Sequence, residues 1–164
     1  MPTNPNPIAA SMPATDLNLP PDQWTIINYE NDIAPIVETK CSGCHYTSYF
    51  QSTYYDSVAG QTVTVPDSVA APAGLDLSDI LETPEMGMGT FPRGYINLSG
   101  EPMPGVPNTV DPAFPRRSVL IDAVLGLGTR AAAGPHPDPG SPEELTANEK
   151  QLFNLWVLLG AQYK

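Results

Sequence analysis

The sequence predicts a small, mainly α-helical single domain with long Pro- and Gly-rich loops and one short β-hairpin. Three observations lead to this fold class. The chain has 164 residues, a length typical of one domain. Three of its segments place apolar residues at helical spacing. The chain also contains 20 prolines and 13 glycines, which favour loops over much of its length.

The first predicted helix covers residues 31–40, because Ile33, Ile36 and Val37 fall on one face. Asn31 or Asp32 is the expected cap. Further on, residues 61–65 alternate Thr and Val, which predicts one arm of a hairpin. Residues 75–81 are predicted to form a single helical turn.

Two further helices are predicted in the second half of the chain. Pro115 opens the first of them, and Gly126 or Gly128 ends it. The last helix follows a capping box over residues 146–149 and ends at Gly160. It is apolar around most of its circumference, which predicts burial. We expect the first helix to pack against it near Trp156.

The charge and the N-terminal composition exclude several classes of protein. With 18 acidic and 7 basic side chains, the formal charge is −11, so binding to nucleic acid is not expected. No apolar run is long enough to span a membrane. Residues 1–23 form a Pro-rich arm without the basic and apolar regions of a signal peptide. The domain itself is predicted to cover residues 24–164.

The only two cysteines lie in the motif Cys41-Ser42-Gly43-Cys44-His45. This C-x-x-C-H spacing is typical of covalent attachment of one c-type haem. Two thiols three positions apart can each add to one haem vinyl group, and the adjacent His45 is then held as the proximal iron ligand. A covalently bound haem also supplies apolar surface that the loop-rich chain otherwise lacks.

A C-x-x-C-H motif can also belong to a zinc site or a redox dithiol. A zinc site needs four ligands, and His136 is the only other histidine, so carboxylates would have to complete the site. A thioredoxin-like dithiol requires a βαβ setting that the sequence does not indicate. The motif therefore favours haem c.

The distal iron ligand is expected to come from His or Met. His136 is the leading candidate, because it is the one remaining histidine and two prolines flank it. Met103, in a stiff Pro-Met-Pro-Gly loop, is the alternative. The other candidates are Met12, Met86 and Met88.

The sequence resembles small monohaem cytochrome c domains of class I-like fold, of the type found in planctomycetes and other environmental bacteria. The matching pieces lie at residues 32–36, 41–45, 73–77, 118–121, 144–149, 155–156 and 159–161. In such relatives the distal ligand often precedes the cap of the last helix, where His136 lies here. Residues 46–69 depart from the pattern as an expected insertion, and the loop around Met103 is longer than in these relatives.

The motif and the resemblance predict an electron carrier rather than an enzyme. Two protein ligands to the iron leave no site for a substrate, and the acidic surface predicts a redox partner with a basic docking face. The alternative is a haem-bearing structural subunit of a redox complex or an extracellular cytochrome filament. Because c-type haem is attached outside the cytoplasm, the resemblance implies a periplasmic or extracellular protein.

Overall fold

The computed structural model describes residues 26–84, 89–100, 109–128 and 134–164. Helices account for 37% and strands for 18% of these residues. The prediction of a mainly α fold is therefore wrong, and the described part of the chain is mixed α and β. The elements in chain order are α1 (Ala34–Lys40), β1 (Ser48–Asp56), β2 (Gln61–Val69), β3 (Leu81–Glu82), β4 (Phe91–Pro92), α2 (Arg93–Ser99), α3 (Val119–Leu125) and α4 (Ala147–Leu158).

The strand content comes mainly from the long hairpin β1–β2. Its two nine-residue strands pair antiparallel, from Ser48 opposite Val69 to Asp56 opposite Gln61. The predicted strand at residues 61–65 is confirmed. Its partner was not predicted, because the aromatic residues of β1 do not alternate with polar ones as they do in a half-buried strand.

A π-helical turn, Tyr29–Ile33, leads directly into α1. Together they cover the helix predicted over residues 31–40. The predicted caps are wrong, because the side chain of Asn28 accepts the hydrogen bond from the Asn31 N–H, at 2.9 Å. Pro35 lies in the first turn of α1, where its missing N–H is tolerated.

The C-terminal helix α4 holds the centre of the core. The predicted capping box is confirmed, since Thr146 and Glu149 exchange hydrogen bonds. Phe153 and Trp156 are fully buried, but Leu158 and Leu159 are about half exposed. Burial around most of the circumference was therefore a wrong prediction. The ring of Tyr29 lies 5.8 Å from that of Trp156. Ile33, Ile36 and Val37 belong to the same buried cluster as Trp156, which confirms that the first predicted helix packs in this region.

In the middle of the chain, the helix predicted at α3 is present, but the helical turn predicted before β3 is not. A 3-10 turn, Pro115–Arg117, precedes α3, and Gly126 ends α3 in the left-handed conformation with φ +66°. Residues 75–81 are not helical. The Asp76 carbonyl accepts a hydrogen bond from the side chain of Asn97, which ties this segment to α2 in an extended form.

Some predictions fall on residues that the structure does not describe. The arm at residues 1–23 and the four methionines considered as iron ligands lie outside the described residues. Within the described ranges, no helix combines the length and the apolar character required to cross a bilayer.

Candidate functional site

The fold brings the two histidines of the chain together. His45 follows α1 and His136 follows α3, yet the centres of their rings lie 5.8 Å apart, with the ring planes at 76°. The pairing was predicted from the ligand needs of a haem iron, and the geometry is compatible with that prediction.

Cys41, Cys44 and His45 form a compact turn at the end of α1. The Cys41 carbonyl accepts hydrogen bonds from the N–H groups of Cys44, at 3.1 Å, and His45, at 2.9 Å. The His45 carbonyl in turn accepts a hydrogen bond from the Leu77 N–H at 2.7 Å. The motif is therefore anchored on both sides, by the helix before it and by the extended segment at residues 75–77.

The imidazole of His45 is oriented by a backbone carbonyl. Its Nδ1 lies 3.2 Å from the Leu75 carbonyl oxygen. Because a carbonyl oxygen only accepts hydrogen bonds, Nδ1 must carry the proton. In the neutral ring this leaves the lone pair on the other nitrogen, Nε2. This is the tautomer and the type of second contact that metal-binding histidines typically have.

A buried carboxylate supports the segment that contacts His45. Asp76 accepts hydrogen bonds from the N–H groups of Thr47 and Ser78 and from Nη1 of Arg93. Burial opposes ionisation of this carboxyl, but these hydrogen bonds outweigh it and hold the pKa of Asp76 well below its ordinary value. Asp76 thus remains charged at neutral pH and fixes the chain next to Leu75.

His136 is positioned by the end of α3. Its N–H donates to the Ala123 carbonyl at 2.8 Å. The chain before it passes directly over Gly126, where a Cβ atom would lie 2.6 Å from the backbone nitrogen of Pro135. A side chain at position 126 would therefore displace the loop that carries His136.

The two thiols differ in environment. Both cysteines are free, and Cys41 is half buried against the hydrophobic core whereas Cys44 is exposed. Burial, together with the charges of Glu149 and Cys44, raises the pKa of Cys41 to about 11. The Cys41 thiol is consequently protonated at neutral pH.

The residues present fit a haem iron held between two imidazoles. A bond from a metal to an imidazole nitrogen is about 2.0 Å long, so two rings on opposite sides of one metal atom have centres about 6 Å apart. The observed 5.8 Å is close to this value. The contact of His45 Nδ1 with the Leu75 carbonyl leaves Nε2 as the nitrogen that could ligate a metal, and the two thiols needed for covalent attachment lie in the turn with His45.

The zinc alternative requires further ligands beside the motif. Among residues 26–84, 89–100, 109–128 and 134–164, no three His, Cys, Asp or Glu side chains converge as the ligands of one metal ion. Met103, the alternative distal ligand, lies outside these ranges.

Sequence reasoning missed the residues that position the histidines. The hydrogen bond from His45 goes to a backbone carbonyl, and no sequence pattern specifies its partner. Asp76 and Arg93 are 17 positions apart, and their ion pair at 2.9 Å depends on the path of the intervening chain. The role of Gly126 at the end of a helix was predictable, since glycine is common after a helix. Its contact with Pro135 was not predictable from the sequence.

Comparison with known proteins found no matching family model, no matching curated protein and no matching solved structure.

Proposed function

We propose that this protein is a monohaem c-type cytochrome that carries single electrons, with His45 and His136 as the two axial ligands of the iron. The observation that supports this most strongly is the approach of the two rings to 5.8 Å, next to the C-x-x-C-H turn. A bound haem c supplies one-electron redox chemistry at its iron.

The chain's own residues attach and orient the haem. The thiols of Cys41 and Cys44 would hold the haem covalently as thioethers, each through one of its two vinyl groups. His45 offers Nε2 because the Leu75 carbonyl holds the proton on Nδ1. His136 approaches from the end of α3.

Two protein ligands leave the iron without a position for a substrate. We therefore expect an electron carrier and not an enzyme. Two histidines also favour a lower reduction potential than a His/Met pair, because Met ligation raises the potential. The charge of −11 predicts a basic docking face on the redox partner and association that weakens with salt.

Mass spectrometry and a redox titration test the proposal together. The protein, produced with a c-type haem attachment system, is expected to gain the mass of one haem and to lose it in a Cys41→Ser/Cys44→Ser variant. The titration is expected to show one reversible one-electron wave. Absence of covalent haem, or a multi-electron or irreversible wave, would contradict the proposal.

Two matched variants identify the distal ligand. His136→Ala is expected to open the sixth position, so that the ferrous protein binds carbon monoxide rapidly. Met103→Ala is expected to leave both the spectrum and the slow carbon monoxide binding of the parent unchanged. The reverse pattern would assign Met103 as the ligand.

Covalent haem attachment also bears on location. Since c-type haem is attached outside the cytoplasm in the cytochromes that the sequence resembles, we propose a periplasmic or extracellular protein. Fractionation of the native host cells, with haem staining of each fraction, tests this point. Recovery of the haem-bearing protein in the cytoplasm would contradict it.

A second candidate is a haem-bearing subunit of a larger redox assembly or of an extracellular cytochrome filament. The observation that favours it is the hairpin β1–β2, whose aromatic side chains are exposed. Sedimentation of the haem-bearing protein distinguishes the two. A particle that does not grow beyond a closed dimer supports the carrier, and open-ended growth with concentration supports the filament.

A further inference from the structure

The hairpin β1–β2 presents a strand of exposed aromatic side chains. Tyr49 and Tyr55 are each 67% exposed, Tyr54 is 52% exposed and Phe50 is 44% exposed. Within the described residues, the two strands form a sheet by themselves. A lone two-stranded hairpin is marginally stable in water. An edge strand with unpaired backbone N–H and C=O groups and exposed apolar side chains readily pairs with another strand.

The two edges of this hairpin differ in their ability to accept a strand. β2 contains Pro66 near its middle, followed by Asp67. Proline has no N–H to donate, and both residue types are typical of protected edges. β1 has no proline and no charged residue before Asp56, its last residue. The outer edge of β1 is therefore the edge open to pairing.

The sequence of β1 is self-complementary about Ser52. Reading outward from this residue, Gln51 and Thr53 are both polar, the next two residues are both aromatic, and the outer two are both tyrosine. When a second β1 pairs antiparallel with Ser52 opposite Ser52, Phe50 faces Tyr54 of the copy. Tyr49 then faces Tyr55 of the copy, on the other side of the sheet. Aromatic pairs directly opposite each other stabilise antiparallel strands.

We propose that the partner of this edge is a second copy of the same chain, joined through β1 about a two-fold axis at Ser52. The result is a four-stranded sheet in the order β2–β1–β1–β2. Such an interface uses the same patch on both copies and closes as a dimer. The proposal concerns the hairpin alone and does not depend on the haem.

The charge distribution allows this pairing despite the acidic chain. In the proposed register Asp56 faces Ser48 of the copy, so the two Asp56 carboxylates lie at opposite ends of the paired strands. Eight residue steps separate them, about 27 Å along a strand. This distance exceeds the Debye length of about 8 Å at physiological ionic strength, so their repulsion is screened.

The available area predicts a dimer of modest affinity. A fully buried aromatic side chain removes about 150–250 Å² from water, and the four of β1 are already partly covered. Together with the backbone, two copies bury an area near the lower end of specific interfaces, about 1,200 Å². We therefore expect dissociation constants in the micromolar range.

Two double variants that differ in one charge sign test the register. In Tyr49→Lys/Tyr55→Lys, each new lysine faces a lysine of the other copy. In Tyr49→Lys/Tyr55→Glu, each lysine faces a glutamate instead. Within one chain the two positions are about 20 Å apart, so they do not interact there. Both variants lose the same two tyrosines, and circular dichroism checks that both remain folded.

Sedimentation equilibrium of the full-length chain, from about 1 to 200 μM, measures the dimer. We expect a wild-type dimer, at least tenfold weaker association in the Lys/Lys variant, and stronger association in the Lys/Glu variant than in the Lys/Lys variant. The Lys/Lys variant is less negative than the Lys/Glu variant. Repulsion between the whole chains would therefore favour association of the Lys/Lys variant, which is the opposite of the expected order. A monomeric wild type, equal association of the two variants, or open-ended oligomers would overturn the proposal.

Discussion

Two groups of aromatic side chains in this molecule have opposite environments. The first group comes from separate segments of the chain and is packed together with ring centres 5.0–6.2 Å apart. Its members are Tyr29, Phe91, Tyr95, Trp156 and Tyr163. The second group is the aromatic set of the single strand β1, which is largely exposed. The comparison shows that residue type alone does not decide burial.

The difference lies in how each group is connected to the rest of the fold. The first group joins α4 to the π-helical turn and to the segments around β4 and the C-terminus, and each ring has neighbours from other segments. The strands of the hairpin pair with each other, and β1 faces no further strand in the described residues. We therefore expect the first group to stabilise the fold and the second to be available for association.

The largest expected effect is that of Trp156→Ala. Trp156 is fully buried, and its Nε1–H donates to the Gln162 carbonyl at 2.9 Å. Its removal is expected to lower the free energy of unfolding by about 3–5 kcal/mol, measured by urea denaturation. The matched control is Tyr55→Ala in dilute protein, with an expected change below about 1 kcal/mol. Similar losses in the two variants would contradict the division into two groups.

The next effect is that of Asp76→Asn, which leaves Arg93 with one fewer anionic partner. We expect a loss of about 2–4 kcal/mol at pH 7. The pKa of Asp76 is lowered by folding. Its contribution is therefore fully present above the ordinary Asp pKa of about 4 and is lost as the pH falls below it.

Urea denaturation at pH 7 and at pH 3 measures this dependence. The difference in unfolding free energy between the parent and Asp76→Asn is expected to be smaller at pH 3. A difference that is constant between the two pH values would show that the Asp76 charge does not contribute. Glu82→Gln is a suitable control, because Glu82 also pairs with Arg93 but its side chain is 41% exposed.

Gly126→Ala is expected to disturb the loop before His136. The residue has φ +66°, and an added Cβ would meet the backbone of Pro135 at 2.6 Å. Gly140→Ala is the matched control, since Gly140 has φ +82° but open space around it. We expect a loss of about 1 kcal/mol in the control from backbone strain. The Gly126 variant is expected to lose more and to bind carbon monoxide faster. Equal behaviour of the two variants would contradict the role of this contact.

The smallest effect is expected at the cap of α4. Thr146→Ala removes the acceptor for the Glu149 N–H and is expected to cost about 1 kcal/mol. Thr53→Ala, on the exposed face of the hairpin, is expected to change stability by less than about 0.5 kcal/mol. Thermal or urea unfolding compares the two. A larger effect at Thr53 would show that the hairpin contributes more to stability than its exposure indicates.

The sequence predicted α1, α3 and α4 because their signals are local, whereas it did not predict α2 and wrongly predicted a helical turn at residues 75–81. The capping box at Thr146, the glycine after α3 and the proline in the first turn of α1 each depend on a few neighbouring residues. The mainly α fold class was wrong because β1 is exposed on both faces. Its aromatic residues therefore follow no alternating pattern, and no local signal identified the nine-residue strand.

For the candidate site, the sequence indicates which residues to propose as ligands, but it does not indicate the contacts that position them. Cys41, Cys44 and His45 form a motif, and His136 was identified by elimination. The Leu75 carbonyl and the Asp76–Arg93 pair act through contacts between distant segments. Such contacts depend on the tertiary path of the chain, which one sequence does not reveal.

Electron paramagnetic resonance of the ferric haem-bearing protein tests the central proposal most directly, namely that His45 and His136 ligate one iron. Their ring planes lie at 76°, and nearly perpendicular imidazoles bring two iron d orbitals close in energy. We therefore expect a low-spin signal with strong anisotropy, and its loss in His136→Ala. A high-spin signal in the parent, or the red absorption band typical of Met ligation, would contradict the account.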